Sequence, residues 1–449
     1  MADGSVGTGF RTESPIFDRE KVLREEHHPE SLPEREEELA DLHMALSAAA
    51  RGVGANNVFL YGKAGQGKTA AVKAKLDELR DHAEAESEKL DLTTVYISCE
   101  AHDLSTSYKA ASYIYQRLTG DLRPTGYATD VVMDMMFEAM DDIGGTVIVV
   151  LDEIDTLGDD DQLLYSLPRA RAQGHVGDHV YPSIIGISND LQWRETLSPK
   201  VKSSLYDDSV LFSPYDATQL QQILRRRAVK AFHDTEFVPV SEVNDTADGT
   251  VVERSDVDGG DDTEYLFRSG VLGKDVIPLV AALSAQDTGD ARQAIKYLRK
   301  AAELADADER ETVTVDDVRD AEALVEREAV VEAMREMTTQ AQLALAALTV
   351  LELSEDTPAR VTPTYGIYKN VAEQVEAEKL VQRRFKDHLR ELDMQGIADG
   401  QKTAAGSVGG PAWQYELQVD TDVAVEVLRD TSRFADVEFG NVSRGRTDQ

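Results

Sequence analysis

NVFLYGKAGQGKTAA, residues 57–71, decides how the rest of this chain is read. Val58, Phe59, Leu60 and Tyr61 form an apolar run of strand length, and Gly62 to Thr69 then fits G-x-x-x-x-G-K-[ST] at every fixed position. Each residue type has a mechanical reason: glycines let the backbone curl so that successive N–H groups point at phosphate oxygens. Lys68 brings a cation to the β- and γ-phosphates, Thr69 offers a hydroxyl to Mg²⁺, and a helix starting near Gly67 adds the positive end of its dipole. Gly62, Lys63, Ala64, Gly65, Gln66, Gly67, Lys68, Thr69 and Ala70 are therefore the candidate residues for binding ATP or ADP.

A second stretch supports the first. Residues 146–151, TVIVVL, are a continuous run rich in β-branched residues, as in a strand buried on both faces of a parallel sheet. The run ends in Asp152-Glu153, and carboxylates are costly at the end of a buried strand unless they are used. This strand is expected beside the P-loop strand, with Asp152 and Thr69 holding the Mg²⁺ shell and Glu153 polarising the attacking water.

The 449 residues suggest about two to four domains. Apolar residues make up 41%, enough for real cores, but 84 acidic residues face 47 Lys and Arg, a formal charge of −37. Such acidity ordinarily argues against nucleic acid as a partner. It reads better as the acidic surface of a salt-loving archaeal protein, where molar salt shortens the Debye length to about 3 Å. The single cysteine, Cys99, leaves no disulfide framework and no Cys-based metal site. The N-terminus lacks a signal-peptide pattern, and no run approaches the ~18 apolar residues of a membrane span. A cytoplasmic protein with no membrane partner is expected.

Taken in order, residues 1–20 read as a polar tail. His27-His28-Pro29 and Leu32-Pro33-Glu34-Arg35 precede a helix over 36–49. Arg35 and His28 are candidate adenine contacts, and an ordinary helix start reads equally well from these residues alone. Tyr215 joins them among the candidate cofactor-binding residues. After the P-loop helix the pattern predicts a strand over 93–98, a helix over 108–118, a Pro/Gly turn at 121–130, a helix over 131–142, a helix reaching Ala172 and a strand over 181–187. That alternation indicates a doubly wound α/β domain. Asn189, just past the last strand, sits where an amide could orient the hydrolytic water.

From Tyr215 the pattern turns helical: 216–232, 276–285, 290–305 and 315–334. Residues 235–264 carry ten Asp and Glu against one Arg and read as a solvated, disordered loop. Asp290 is a reasonable N-cap, and Arg292 one turn in could reach the γ-phosphate or lie on the surface. Beyond residue 336, helices over 340–353, 363–375 and 377–394 precede two strands, 397–402 and 412–417, joined by a Gly-rich tip at 404–411. On the third helix Val381, Phe385, Leu389 and Leu392 share one face at about 100° per residue. Lys379, Arg383, Lys386 and Arg390 gather opposite, with Arg384 beside them. Three helices and a β-wing make a winged helix, and a basic third helix is the usual groove reader.

Together these segments resemble the archaeal initiator family related to cell division control protein six and origin recognition complex subunit one. The resemblance spans roughly residues 22–419 and rests on HHPESLPEREEELADL, YGKAGQGKTA, VIVVLDEID, SIIGISND, LSPKVKSSL, FSPYDATQL, GDARQAIKYLRKAAELA and QRRFKDHLRELDMQGI in this order. It implies an α/β AAA+ P-loop domain over 21–214, an all-α lid over 215–335, a winged-helix domain over 336–440 and a short tail, 441–449. It also implies binding to double-stranded origin DNA, recruitment of the replicative minichromosome-maintenance helicase, self-association on DNA and a place on the nucleoid. Lys68 and Thr69 then correspond to Walker A, Asp152 and Glu153 to Walker B, Asn189 to sensor one and Arg292 to sensor two, with Glu153, Asn189 and Arg292 as the catalytic set. The turn at 121–130 and its following helix look like the family's second DNA contact. Lys200 stands where the family pattern usually has an arginine finger, and lysine lacks the planar fork of arginine. A nucleotide-gated transcription regulator of the same architecture is the alternative, and a fast motor or clamp loader is disfavoured by Lys200.

Overall fold

The computed structural model describes residues 13–24, 26–27, 29, 31–85, 90–158, 160–205, 208–242, 250–252, 264–402, 412–435, 437 and 439. They divide into two compact units, 1–321 and 322–449, with the division inside one long helix.

The first unit opens with α1 (Glu36–Leu46), β1 (Val58–Tyr61), α2 (Lys68–Ala85), β2 (Leu92–Ser98), α3 (Ser107–Thr119), α4 (Thr129–Ile143), β3 (Gly145–Asp152) and α5 (Gln162–Ser166). It continues through β4 (Val180–Ser188), the short α6 (Trp193–Thr196) and α7 (Pro199–Leu205), and β5 (Asp208–Leu211). The five strands form one parallel sheet in the order β2-β3-β4-β1-β5. Successive side chains of a strand point to opposite faces, and in β3 both faces are apolar. Val147, Val149 and Leu151 join the core with α3 and α4, while Ile148 and Val150 join the core with α1 and α2. The expected neighbour relation is corrected here: β4 lies between β3 and β1, so the Asp152 strand is not beside the P-loop strand. The helix expected to reach Ala172 is also shorter, because Leu167–Arg169, with Pro168 inside, tightens into a 3₁₀ turn.

The N-terminal stretch is not a tail throughout. Ile16 is fully buried, Phe17 stacks on Phe232 at 5.5 Å, and the Asp18 and Arg19 N–H groups donate to the Ala231 carbonyl. Two apolar side chains in a polar context were enough to dock it.

The region expected as the lid comprises α8 (Ala217–Ala231), β6 (Thr235–Pro239), β7 (Thr250–Val252), β8 (Tyr265–Ser269), α9 (Val276–Asp287), α10 (Ala291–Ala307) and the start of α11 (Val315–Glu336). Asp216 and Gln219 close a capping box on α8. The stretch 235–264 is thus only partly loop, because an antiparallel sheet β6-β8-β7 buries Leu266 and Phe267. The other residues of its acidic middle lie outside the described residues. At the start of α11, the Asp317 carboxylate accepts from the Thr314 N–H at 2.7 Å, the Thr314 hydroxyl at 2.8 Å and Arg310 at 2.8 Å. Burial works to raise the pKa of Asp317, but the Arg310 and Thr314 hydrogen bonds outweigh it and hold the carboxyl below the usual range. Asp317→Ala should lower stability by about 1–3 kcal/mol by chemical denaturation, the usual cost of leaving such donors unmatched. An unchanged midpoint and slope would contradict that.

The second unit carries the end of α11, then α12 (Thr339–Leu353), β9 (Ala359–Arg360), α13 (Val361–Gln374), α14 (Gln382–Met394), β10 (Ala398–Lys402), β11 (Trp413–Leu417) and α15 (Thr421–Asp430). The three strands pair antiparallel in the order β10-β11-β9. From Ala341 to Leu351 every residue of α12 is buried, making it the central helix of this core. The third helix of the winged motif begins at Gln382 rather than Ala377. Tyr368 and Tyr365 explain the shift: the Tyr368 hydroxyl accepts from the Leu380 N–H and the Tyr365 hydroxyl donates to the Leu380 carbonyl, both at 2.8 Å. Held outside the helix, Val381 is 67% exposed instead of facing the core, whereas Phe385, Leu389 and Leu392 are buried. The tip at 404–411 lies outside the described residues.

Candidate functional site

Parallel strands bring their C-terminal ends to one edge. Tyr61 is in register with Ser188, and Ile187 with Asp152, so the P-loop, Asn189 and Asp152-Glu153 emerge side by side. The Lys68 ammonium is buried and donates to the carbonyls of Gly62 and Lys63, both at 2.7 Å, and to Asn189 Oδ1 at 2.9 Å. Burial lowers its pKa to about 8, against the raising effect of Asp152. Thr69 Oγ1 donates to Asp152 Oδ2 at 2.8 Å.

Two supporting groups carry no motif signature and were missed in the sequence. The Tyr96 hydroxyl donates to the same Asp152 oxygen as Thr69, and Ser98 Oγ donates to Glu153 Oε2 at 2.7 Å. Both come from β2, paired directly to β3, and only that pairing reveals them. Burial, then the nearby Asp152 charge, raise the Tyr96 pKa, so this phenol stays a donor.

Glycine is required at two loop positions by contact as well as conformation. Gly62 has φ 151°, and a Cβ there would overlap the Phe212 carbonyl and Gln66 Oε1. Gly65 has φ 72°, and its Cβ would overlap the Asp290 carboxylate. That carboxylate caps α10 as the spacing predicts, accepting from the Arg292 N–H at 2.6 Å, while the Ala291 N–H donates to the Gly65 carbonyl at 3.2 Å. The lid helix is thereby anchored on the P-loop, with Arg292 exposed at its first turn and on the cavity wall.

Arg35 is placed differently from the expected adenine contact. It is 3% exposed and donates to the Gln66 carbonyl at 3.0 Å, the Ser213 carbonyl at 2.6 Å and Glu38 at 2.7 Å, with its guanidinium 3.8 Å from the Tyr215 ring centre. The fork is spent tying the P-loop to the start of the lid, so the residue positions the loop and is not on the cavity wall. Tyr215 and the stretch around Leu32 do line the cavity, and His28 lies outside the described residues.

The cavity measures about 410 Å³ and runs from Ala64–Ala70, Asp152, Glu153 and Asn189 to the lid helices. It fits a nucleoside triphosphate: a buried cation and curled backbone at one end, apolar Leu32, Ile223 and Ile295 further in. Thr69 and Asp152 supply the hard oxygen donors that suit Mg²⁺. Lys200 is exposed in α7 and does not line this cavity.

On the winged helix, Arg383, Arg384 and Arg390 are exposed and Lys386 is half-buried. Lys379 does not belong to the helical stripe, since it precedes α14 and pairs with Glu373 at 2.7 Å. Asp387, one turn after Arg383 and 3.9 Å from Arg390, sits within the basic stripe.

A parallel α/β P-loop domain, a helical lid anchored on the loop and a winged helix define an AAA ATPase. Three family models match the chain: an AAA ATPase domain at 31–177, a Cdc6 AAA+ ATPase-type lid domain at 263–323, and a CDC6 C-terminal winged helix domain at 332–427. ORC1-type DNA replication protein 1 of Haloarcula marismortui is 35% identical over 432 residues, covering 95% of this chain and 96% of the relative. ORC1-type DNA replication protein 8 of Halobacterium salinarum is 37% identical, covering 94% and 98%. The structure of the Aeropyrum pernix ORC1 protein in complex with DNA superimposes with a TM-score of 0.73 at 31% identity, over 94% of this chain and 99% of that one. The chain belongs to the Cdc6/ORC1 family.

Proposed function

We propose that this protein is a replication initiator that binds double-stranded origin DNA through its winged helix and uses ATP as its switch. In this reading it acts on the nucleoid in the cytoplasm, self-associates on DNA and helps recruit the replicative minichromosome-maintenance helicase. The observation that carries the nucleotide part is the meeting of two hydrogen-bonded pairs, Lys68 with Asn189 and Thr69 with Asp152, at the C-terminal edge of the sheet. Full-length similarity to ORC1-type replication proteins supports the rest.

Lys68 would exchange its carbonyl partners for β- and γ-phosphate oxygens, which restores the solvation its burial removed. Thr69 and Asp152 would hold Mg²⁺, which when bound neutralises phosphate charge. Glu153 would orient and polarise water, with Ser98 holding its carboxylate until then. Asn189 and Arg292 would contact the γ-phosphate from the sheet and the lid. With Lys200 at the finger position, hydrolysis is expected to be slow. Lys200→Arg should raise turnover in assembled protein, since arginine fingers contribute about 10³–10⁵ in rate elsewhere. No gain in confirmed assemblies would count against a shared site.

The DNA part is tested on α14. At high salt, each phosphate contact loses close to one log unit of affinity per log unit of salt, so recognition must rest on base-edge contacts. The guanidinium forks of Arg383 and Arg390 suit guanine, at about 1–3 kcal/mol of discrimination each. The Arg383→Ala, Arg390→Ala double variant should bind a mapped site and a scrambled duplex almost alike in fluorescence anisotropy. Lys386→Ala should weaken both equally and shallow the salt slope. Site preference retained in the double variant would move recognition to the wing or the turn at 121–130.

A further inference from the structure

Asp152 ends β3 on the face of the sheet that α2 covers. Ile148 and Val150, which alternate with it along the strand, pack there against Val72 and Leu76 of α2. Tyr96 of β2 is in register with Val150, and its ring packs on that same core. Thr69 stands in the first turn of α2, so its hydroxyl and the Tyr96 phenol reach Asp152 from two neighbouring elements. Lys73, one turn after Thr69, places its ammonium 5.1 Å from the centre of the Tyr96 ring. The ring is thereby held between the sheet and the helix, with its hydroxyl on the carboxylate.

The acceptor count of Asp152 then matters. An ionised carboxylate only accepts, with about four places shared between its two oxygens. Oδ2 accepts from the Thr69 hydroxyl at 2.8 Å and from the Tyr96 hydroxyl, and Oδ1 accepts from the Glu153 N–H at 3.1 Å. Among the described residues, these three donors leave the remaining place on Oδ1. A cation held by the Thr69 oxygen would not free Oδ2, because the Thr69 proton would still need its acceptor. Asp152 can therefore meet a cation, or water on that cation, through one oxygen. Divalent ions differ in how well that suits them. Mg²⁺ is small and octahedral and usually keeps several waters, whereas Ca²⁺ takes about 6–8 oxygens and accepts carboxylates through both of theirs.

We propose that Tyr96 is a positioning residue that sets the choice of divalent cation: by filling the second acceptor place on Asp152 Oδ2, it holds the carboxylate to one-oxygen binding, which favours Mg²⁺ over Ca²⁺. The proposal rests on the nucleotide reading of the P-loop.

The test titrates Mg²⁺ or Ca²⁺ into full-length protein with a fluorescent, non-hydrolysable ATP analogue in high salt, and reads the cation concentration that half-restores tight binding. In Tyr96→Phe the Mg²⁺ requirement should rise about tenfold, the low end for losing a hydrogen bond to a metal ligand. The Ca²⁺ requirement should stay within about threefold or fall, since the freed place on Oδ2 admits two-oxygen binding. Phenylalanine keeps the ring and its packing, and Tyr96 does not line the cavity, so analogue affinity in EDTA and the melting curve should be unchanged. In an Asp152→Ala background, Tyr96→Phe should no longer alter the ratio of the two requirements. A Ca²⁺-to-Mg²⁺ ratio within about twofold of wild type in Tyr96→Phe, whether both requirements move together or neither does, would overturn the proposal. So would a ratio that moves further toward Mg²⁺, or a change that persists without the Asp152 carboxylate. Failure of the wild-type protein to bind the analogue with either cation would instead refute the nucleotide reading itself.

Discussion

Replacing Lys68 with alanine should lower ATP affinity by a factor of roughly 30 to several thousand, corresponding to the 2–5 kcal/mol lost when one member of a desolvated charge pair is removed. The expectation follows from where the ammonium lies. It is buried, already depressed to a pKa of about 8, and held by two carbonyls and the Asn189 amide until a stronger anionic partner arrives. Equilibrium binding of a fluorescent ATP analogue in high salt measures it. Because Lys68 also holds Gly62 and Lys63, a melting curve must accompany the measurement. Wild-type affinity in a folded variant would remove the P-loop from the mechanism.

Glu153→Gln should leave ATP binding within a few-fold of wild type and slow single-turnover hydrolysis by about 10²–10⁴, the usual contribution of a positioned general base. Glutamine keeps the shape and can still meet the Ser98 hydroxyl but cannot take a proton from water. Ser98→Ala separates positioning from chemistry: freeing the carboxylate should change the hydrolysis rate while the affinity stays constant. Unchanged hydrolysis in Glu153→Gln would mean that another group activates the water, despite the placement of Glu153 at the sheet edge beside Asp152.

Some of this was legible because it is local. The P-loop is a contiguous pattern, and curling a backbone around phosphate needs glycines at set intervals whatever surrounds them. The run ending in Asp152-Glu153 was equally plain, and so were Asp290 as a helix cap and the winged motif from three helices and a hairpin. Misreadings occurred where a distant partner decided the outcome. In the sequence Arg35 reads equally as an adenine contact or as part of an ordinary helix start; in the fold Gln66, Ser213, Glu38 and Tyr215 consume its guanidinium. Val381 fitted the apolar face of a helix that the two tyrosine hydroxyls keep from starting there. The stretch at 235–239 read as acidic loop, although pairing with β8 makes it a strand.

By itself, then, the sequence determined the fold class, the phosphate-binding loop, the carboxylate pair and the winged-helix module, because each is written in residues close together along the chain. Only the tertiary structure decided that β4 separates the two motif strands, that Tyr96 and Ser98 hold the carboxylates, and that Arg35 ties the P-loop to the carbonyl of Ser213. Strand order and side-chain convergence depend on which surfaces are buried together, and burial is a property of the whole folded chain rather than of any one stretch.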